Sequence, residues 1–563
     1  MPSCRTCQAP FEILDEDRAM LLKLRPTVGA QAFDLPEPSE CFRCRLQLRM
    51  SFYNARSLYR RACDSTGKSI VSVYSPDKAL TVYDKDVWLT DVWDPMSYER
   101  EIDWNRSFLE QLKELQQTVP MYSISHFGWQ NINSDFTNDN WKVKNCYLTF
   151  DGEQAEDCYY LHSFVYTKDC MDDVYITRCE LCYECVHCHD CYGLRYSRYC
   201  LNCSGSFFLR DCIGCKNCFG CANLRQKQYC IFNEQKTKEE YEKFMQEFLA
   251  SSHGAVQTMR EKAEKHFLVF PVKAMRGEQN VNVTGDNTNR SKNAFWCFDC
   301  NDQEDSRYTT NCMMPAKDLL DVHVWGDGLE LCYNSCVVGS NSRRLMCCYS
   351  VSQGCSDVLY SMFCMNNCSS LLGCVGLRRK QYCILNKQYT KEEYEELAPR
   401  IIRGMMESGE WGNYFPTSLS TFGYNETMAQ TYFPLTKEEA TARGWQWCDY
   451  EPSVEAKKVI AADQLPDDSS LIPDEVLEWA ITCEVTGKPF KVIRQELDFY
   501  KTHKLPIPRR HPDERHRNRY ALKNPYTVFS RTCAKCKEKI ETTYAPERPE
   551  IVYCESCYLA AVY

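Results

Sequence analysis

Eight cysteines at the two ends of the chain carry the clearest chemistry. They fall in four Cys-x2-Cys pairs: Cys4 with Cys7, Cys41 with Cys44, Cys533 with Cys536, and Cys554 with Cys557. Such a pair bends the backbone so that two thiolates reach one tetrahedral ion at about 2.3 Å, and two pairs complete a closed structural zinc site. The last two pairs are 17 residues apart, within usual zinc spacing, while the first two are 33 apart, which reads as an insertion. The expected cofactor is zinc, about two ions, one per end.

The segments around these cysteines can be laid on each other. "LPEPSECFRCR" (35–45) matches "LPIPRRHPDER" (505–515), and Asn54, Arg61 and Cys63 fall on Asn524, Arg531 and Cys533 at the same offset. One two-site module therefore reads as present twice, each copy having lost a different site. In the N-terminal copy the second site keeps Cys63 alone, with Thr66, Asp84 and Val87 at the other positions. In the C-terminal copy the first site has become Cys483, Thr486, His511 and Glu514, of which Cys483, His511 and Glu514 are second-rank ligand candidates. "DSTGKS" (64–69) is not a phosphate loop, because Ala62 stands where the first glycine is required.

These modules must be positioned by what lies between them. Residues 146–230 hold fifteen cysteines, five of them at every third position in "RCELCYECVHCHDC" (178–191). Cys158, Cys179, Cys200 and Cys221 recur at a constant spacing of 21, which predicts a stacked solenoid with one coil per period. Buried thiol ladders are the first reading of this region. A zinc site at Cys179, Cys182, Cys200 and Cys203 is the second, and an iron–sulfur cluster at "CIGCKNCFGC" (212–221) the third. A further twelve cysteines lie between 297 and 383, and "RQKQYCIFNEQKTKEEYEKF" (225–244) is echoed by "RRKQYCILNKQYTKEEYEEL" (378–397). Thr237 with Glu240, and Thr390 with Glu393, predict capped helices running to about 265 and 406.

Thirty-eight cysteines in 563 residues would suggest disulfides in a short secreted chain. No apolar leader or membrane-length stretch is present in the sequence, so the expectation is a cytoplasmic chain with reduced thiols and no membrane contact. The net charge of -10 argues against bulk attraction to nucleic acid, yet residues 487–539 carry fifteen Lys or Arg against five Asp or Glu. RNA or ribosome binding there, with Tyr500, Tyr520 and Tyr526 stacking on bases, is one alternative function. Thiol-rich metal storage or redox chemistry, with Cys200 beside Arg198 and Cys191 near His189, is another. No Ser/His/Asp set, HExxH motif or nucleotide loop points to an enzyme.

Through "CRTCQAPFEI", "TYAPERPEIVYCESCY" and "KQYCILNKQYTKEEYEEL" the chain resembles cysteine-rich proteins of candidate-phyla bacteria with zinc-ribbon domains at both ends. The resemblance implies zinc binding and no catalysis. The expected fold is mainly β with helical connectors: two tandem Cys-rich β-solenoid (β-helix-like) units flanked by small zinc-ribbon modules. The divisions are a ribbon module plus helix at 1–120, a first solenoid at 134–275, a second at 281–448, a linker at 449–472 and a ribbon module at 473–563. The expected function is a zinc-binding scaffold that presents its faces to a protein partner.

Overall fold

The computed structural model describes residues 1–125 and 130–563 and is a mixed α/β protein with many strands. Its centre is two ladders of parallel strands. In the first, Thr137–Lys144, Thr149–Glu156, His162–Lys168, Val174–Thr177 and Val186–His189 pair in sequence order. The register puts Thr137 on Thr149, Phe150 on His162 and Val174 on Val186, so each strand lies twelve positions after the one it pairs with. Single bridges carry the same step onward, His189 to Leu201 to Ile213 to Arg225. In the second ladder the step is twelve or thirteen over most of its length, as in Gly285 on Cys297 and Ala316 on Leu329.

The expected coil of 21 is thus corrected to a rung of twelve. The backbone explains both numbers. From 139 to 232 every third residue sits in the left-handed region, among them Arg178, Leu181, Glu184, His187 and Asp190 at φ 49° to 56°. One triplet consists of an inward residue, a bridging residue and a left-handed corner, and four triplets make a rung. A spacing of 21 is seven triplets, so it keeps a residue inward but moves it to another side. The cysteines that follow one another on the ladder are therefore Cys146, Cys158, Cys170 and Cys182, or Cys179, Cys191, Cys203 and Cys215.

Hydrogen bonding explains why the inward residue is so often cysteine. Bridging and corner amides bond along the ladder: Glu180 N donates to Cys191 O at 3.0 Å and Leu181 N to Lys168 O at 3.1 Å. Inward amides instead find side chains one rung earlier. Cys146 N donates to Ser134 Oγ at 2.9 Å, Leu209 N to Ser197 Oγ at 3.0 Å and Cys215 N to Cys203 Sγ at 3.4 Å. Each thiol in turn donates to carbonyls, Cys179 Sγ to Thr177 O at 3.5 Å and to Cys188 O at 3.3 Å. A buried amide without a partner costs about 1–3 kcal/mol. Cysteine and serine are small enough to pack inside and carry both an acceptor and a donor.

Both ladders end in the same way. Cys230–Ile231 turns antiparallel onto Glu234–Gln235, and Gln381–Ile384 onto Lys387–Gln388, so neither last strand offers a free edge. Capping boxes follow at Thr237 with Glu240 and Thr390 with Glu393, opening helices Lys238–Glu247 and Lys391–Ser408. The first predicted helix is broken: a second one, His253–Phe267, starts afresh at Ser252, whose hydroxyl also donates to Asp467. Within 449–472 the strand Lys458–Ala461 pairs with Trp479–Thr482.

The two ends carry the same elements. A pair of helices, Asp15–Leu24 and Phe42–Met50, is followed by the hairpin Tyr59–Ala62/Ser69–Ser72; at the other end Arg494–His503 and Pro512–Ala521 precede Phe529–Thr532/Lys539–Thr542. Arg61 donates to the carbonyls of Ser75 and Leu80, and Arg531 to those of Ala545 and Glu550, which are the matching positions of the second module. The helix pairs dock crosswise. Arg45 and Arg49 hold buried Asp321 of the second ladder, each at 2.8 Å. Arg515 and Arg519 hold buried Asp172 of the first, each at 2.7 Å. Sequence reasoning passed over these clamps, although Arg-x3-Arg, which puts two guanidinium groups on one helix face, stands at the matching place in both helices.

Candidate metal centres

Each intact four-cysteine set is built from a tight turn and a helix start. In the turn, Cys4 N donates to Ala9 O and Gln8 N to Cys4 O, both at 2.9 Å, with Gln8 left-handed at φ 61°. At the other end Cys533 N donates to Glu538 O at 2.8 Å and Lys537 N to Cys533 O at 3.0 Å, with Lys537 at φ 67°. The second pair of each set opens a helix: Cys41 is the N-cap of Phe42–Met50 with Cys44 in its first turn, and Cys554 is the N-cap of Glu555–Val562 with Cys557 in its first turn. Free amides and the positive end of the helix there favour thiolates.

The four sulfurs of Cys4, Cys7, Cys41 and Cys44 lie within 4.8 Å of one another, as do those of Cys533, Cys536, Cys554 and Cys557. Cys7 and Cys41 are 3.8 Å apart and Cys536 and Cys554 3.7 Å. Ligands at about 2.3 Å from a tetrahedral ion sit about 3.8 Å from each other, so the donor sets fit one ion each. The Cys44 thiol, bonding to Cys41, brings the latter's pKa down to about 5 against the effect of burial. At Cys533 burial acts upward, but the amides of Cys536 and Cys554 outweigh it and bring the thiol to about 6.

Among the described residues no other group of three or more Cys, His, Asp or Glu brings its ligand atoms together in this way. The two altered sites keep the turn without the ligand set. Cys63 N donates to Lys68 O at 2.8 Å and Cys483 N to Lys488 O at 3.0 Å, with Gly67 and Gly487 left-handed. In both, burial raises the cysteine but hydrogen bonding, led by the Thr66 or Thr486 hydroxyl, brings it below the ordinary value. Asp84 caps the helix Lys85–Trp88 by accepting from Asp86 N. His511 caps Pro512–Ala521 through Nδ1, and Glu514 pairs with Arg517. Cys483, His511 and Glu514 are thus turned to hydrogen bonds and an ion pair.

The central candidates are inward rung residues. Cys179, Cys182, Cys200 and Cys203 are each 0–2% exposed, and Cys212, Cys215, Cys218 and Cys221 of the cluster-like run are equally buried. They are spread over different sides and rungs, and no three of them bring their sulfurs all within 4.8 Å of one another. Arg198 does not activate Cys200, because its guanidinium pairs with Glu264 at 2.5 Å while burial pushes the thiol well up. Cys191 goes down to about 5, mainly through the Cys179 thiol, and is only 2% exposed.

The basic 487–539 segment is largely neutralised within the chain. Arg494 and Lys501 pair with Asp474, Arg510 with Glu484, Lys488 with Glu451, and Arg515, Arg519 and Lys523 with buried aspartates. The tyrosines expected to stack on RNA are interior: Tyr500 is 0%, Tyr520 7% and Tyr526 4% exposed. They are therefore corrected from base platforms to core, which the alternating apolar and basic pattern of the helices does not reveal. Among the described residues no helix is long and apolar enough to cross a membrane.

No family model matches the chain, and neither does any curated protein. Among solved structures, a crystal structure of a proposed acetyltransferase from Desulfovibrio desulfuricans G20 aligns with 50% of this chain and 81% of its own at 9% identity, with a TM-score of 0.10. At that score it carries no argument. The fold and sites define the class: a cysteine-rich α/β chain with two four-cysteine centres that could hold metal ions.

Proposed function

We propose that the protein is a non-enzymatic scaffold in which two zinc ions lock the end modules onto a pair of β-solenoids. The sulfur spacing of the two terminal sets, close to the edge of a zinc–thiolate tetrahedron, carries this reading. The rungs of twelve with inward thiols are the coils of the solenoids, and their cysteines serve packing and hydrogen bonding. The coil faces not covered by the end modules are offered to a protein partner. RNA binding through 487–539 loses support because nine of the fifteen basic side chains there pair with carboxylates and the tyrosines are buried. Metal storage and redox chemistry lose support because the rung thiols form no ligand set.

The test is elemental analysis of protein purified anaerobically without added metal, with thiols titrated after unfolding. About two zinc per chain, no iron, and all 38 cysteines recovered as thiols agree with the proposal. Iron with sulfide, or four or more zinc, would overturn it.

A further inference from the structure

We propose that the buried cluster of Arg56, His162, His516, Arg519 and Tyr520 is a binding site for a small oxyanion. It lies where the N-terminal module, the first ladder and the C-terminal module meet. His162 and His516 have ring centroids 5.3 Å apart, Tyr520 lies 5.6 Å from the first and 4.4 Å from the second, and all three are at most 7% exposed. Arg56 reaches the cluster from the other module, its side chain 13% exposed and one nitrogen 3.5 Å from surface Asp513. Arg56 and Asp513 are the members of this neighbourhood that reach solvent.

Its polar atoms lack partners. Arg56 Nη1, His162 Nδ1, both nitrogens of His516, Arg519 Nε and Nη2, and the Tyr520 hydroxyl are buried with no hydrogen bond. The guanidinium nitrogens are obligate donors, and each neutral imidazole and the phenol add one more. The carboxylates nearby leave these atoms unmet: Asp172 takes one nitrogen of Arg519 together with Arg515, Asp513 lies 3.5 Å from another nitrogen of Arg56, Asp151 stands 3.9 Å from His162 Nε2, and buried Asp173 Oδ2 is itself without a hydrogen bond. Unmet donors gathered from several elements call for an acceptor-rich guest, and planar guanidinium groups suit the oxygens of phosphate, sulfate or a carboxylate.

The other end of the molecule serves as an internal control. At the positions matching His516 and Tyr520 it has Leu46 and Met50, both 0% exposed. Packing the helix against a ladder therefore does not require polar residues there. Putting histidine and tyrosine in with unpaired atoms costs stability, and interior positions that break a local rule in this way mark functional sites.

The test uses the full-length protein. Thermal unfolding is followed against inorganic phosphate, sulfate and acetate at constant ionic strength, with chloride as the control. The expected result is a saturable rise in Tm with at least one oxyanion and none with chloride. The double variant His516→Leu/Tyr520→Met, which copies the other end, is expected to be at least as stable without anion and to show no rise. Arg56→Gln, at a partly exposed position, is expected to weaken the apparent Kd about tenfold with the fold intact. No oxyanion response beyond chloride, or an equal response in the double variant, overturns the proposal. So does a crystal structure grown in phosphate that shows only water against these atoms.

Discussion

If the inward thiols satisfy inward amides, replacing one should rank substitutions by hydrogen bonding ahead of hydrophobicity. Cys203 is the position to use. It is 1% exposed, accepts from Cys215 N at 3.4 Å, and donates to Leu201 O and Cys212 O, both at 3.4 Å. Cys203→Ser keeps acceptor and donor, so it should cost less than about 1 kcal/mol. Cys203→Ala leaves the Cys215 amide unpaired, about 1–3 kcal/mol, and opens a methyl-sized void worth about 1 kcal/mol more. Cys203→Val fills the void but not the acceptor, so about 1–3 kcal/mol remains. The expected order of stability is wild type, Ser, Val, Ala. Urea unfolding gives the order, and hydrogen–deuterium exchange of peptides spanning 204–218 should show faster exchange in Ala and Val but not in Ser. A purely hydrophobic role predicts Val near wild type and Ser worst, and that order would refute the reasoning. The chain already contains the serine version: Ser206 accepts from Cys218 N at 2.9 Å and Ser361 from Cys374 N at 3.0 Å.

Each terminal site should hold its ion independently: Cys7→Ser and Cys536→Ser should each remove one metal per chain by elemental analysis, and the double variant both. The crossed clamps should be costly to break. Asp172→Leu strands Arg519 in the interior and leaves Arg515 to Glu496 and Tyr500 alone, and should destabilise by about 3–5 kcal/mol in urea titration, whereas neutralising exposed Asp15, paired with Arg18 on the surface, should change stability by less than about 1 kcal/mol. Acid sensitivity should come from buried histidines. Desolvation, reinforced by the Arg49 charge, brings His323 down to about 3, and desolvation also holds His162, His187 and His516 well below the usual value. Their neutral forms are the folded forms, so stability is complete above the unfolded pKa near 6.5 and falls as pH drops below it, by about 1.4 kcal/mol per unit per histidine until the folded pKa is reached. Urea midpoints between pH 7.5 and 5 should fall, and less steeply in His516→Leu/Tyr520→Met.

What was legible in the sequence tracks which features need particular residues. A four-thiol site needs cysteine pairs at Cys-x2-Cys spacing, so the terminal sets could be read directly. The capping boxes at Thr237 and Thr390 need threonine and glutamate at fixed spacing, and both are present. The rung length was misread because 12 and 21 are both multiples of the triplet, and cysteines occupying one position in three fit either. The corner that sets the triplet has no residue signature: Tyr175, Leu181, Val337 and Arg344 adopt it at φ 52° to 57° alongside Asn and Asp. The rung supplies the bonds that hold such corners, and their strain appears in no local propensity. Burial of Tyr500 and Tyr520 was hidden for a related reason, since an amphipathic basic helix reads as a surface until the acidic ladder face it docks on is known.

The pattern of site loss has a physical logic. The two turns that lack a complete ligand set have extra chain packed on them. Over the Cys63 hairpin, Glu426 accepts from Tyr59 and Lys78, and Phe422 stacks on Tyr74 with centroids 5.2 Å apart. Beside the Cys483 turn, Lys458–Ala461 adds a parallel strand to Trp479–Thr482, making a three-stranded sheet. Of the intact sites, the Cys4 turn is joined by one bridge, Ser3 to Pro10, and the Cys533 module by Val272–Lys273, which pairs in parallel with Val552–Tyr553. A small hairpin cannot bury enough apolar surface to hold itself, and a metal or added packing must make up the difference. Where the chain supplies a strand or an aromatic cover, threonine, aspartate and histidine stand at these positions as caps and hydrogen-bond partners, and the turn is kept.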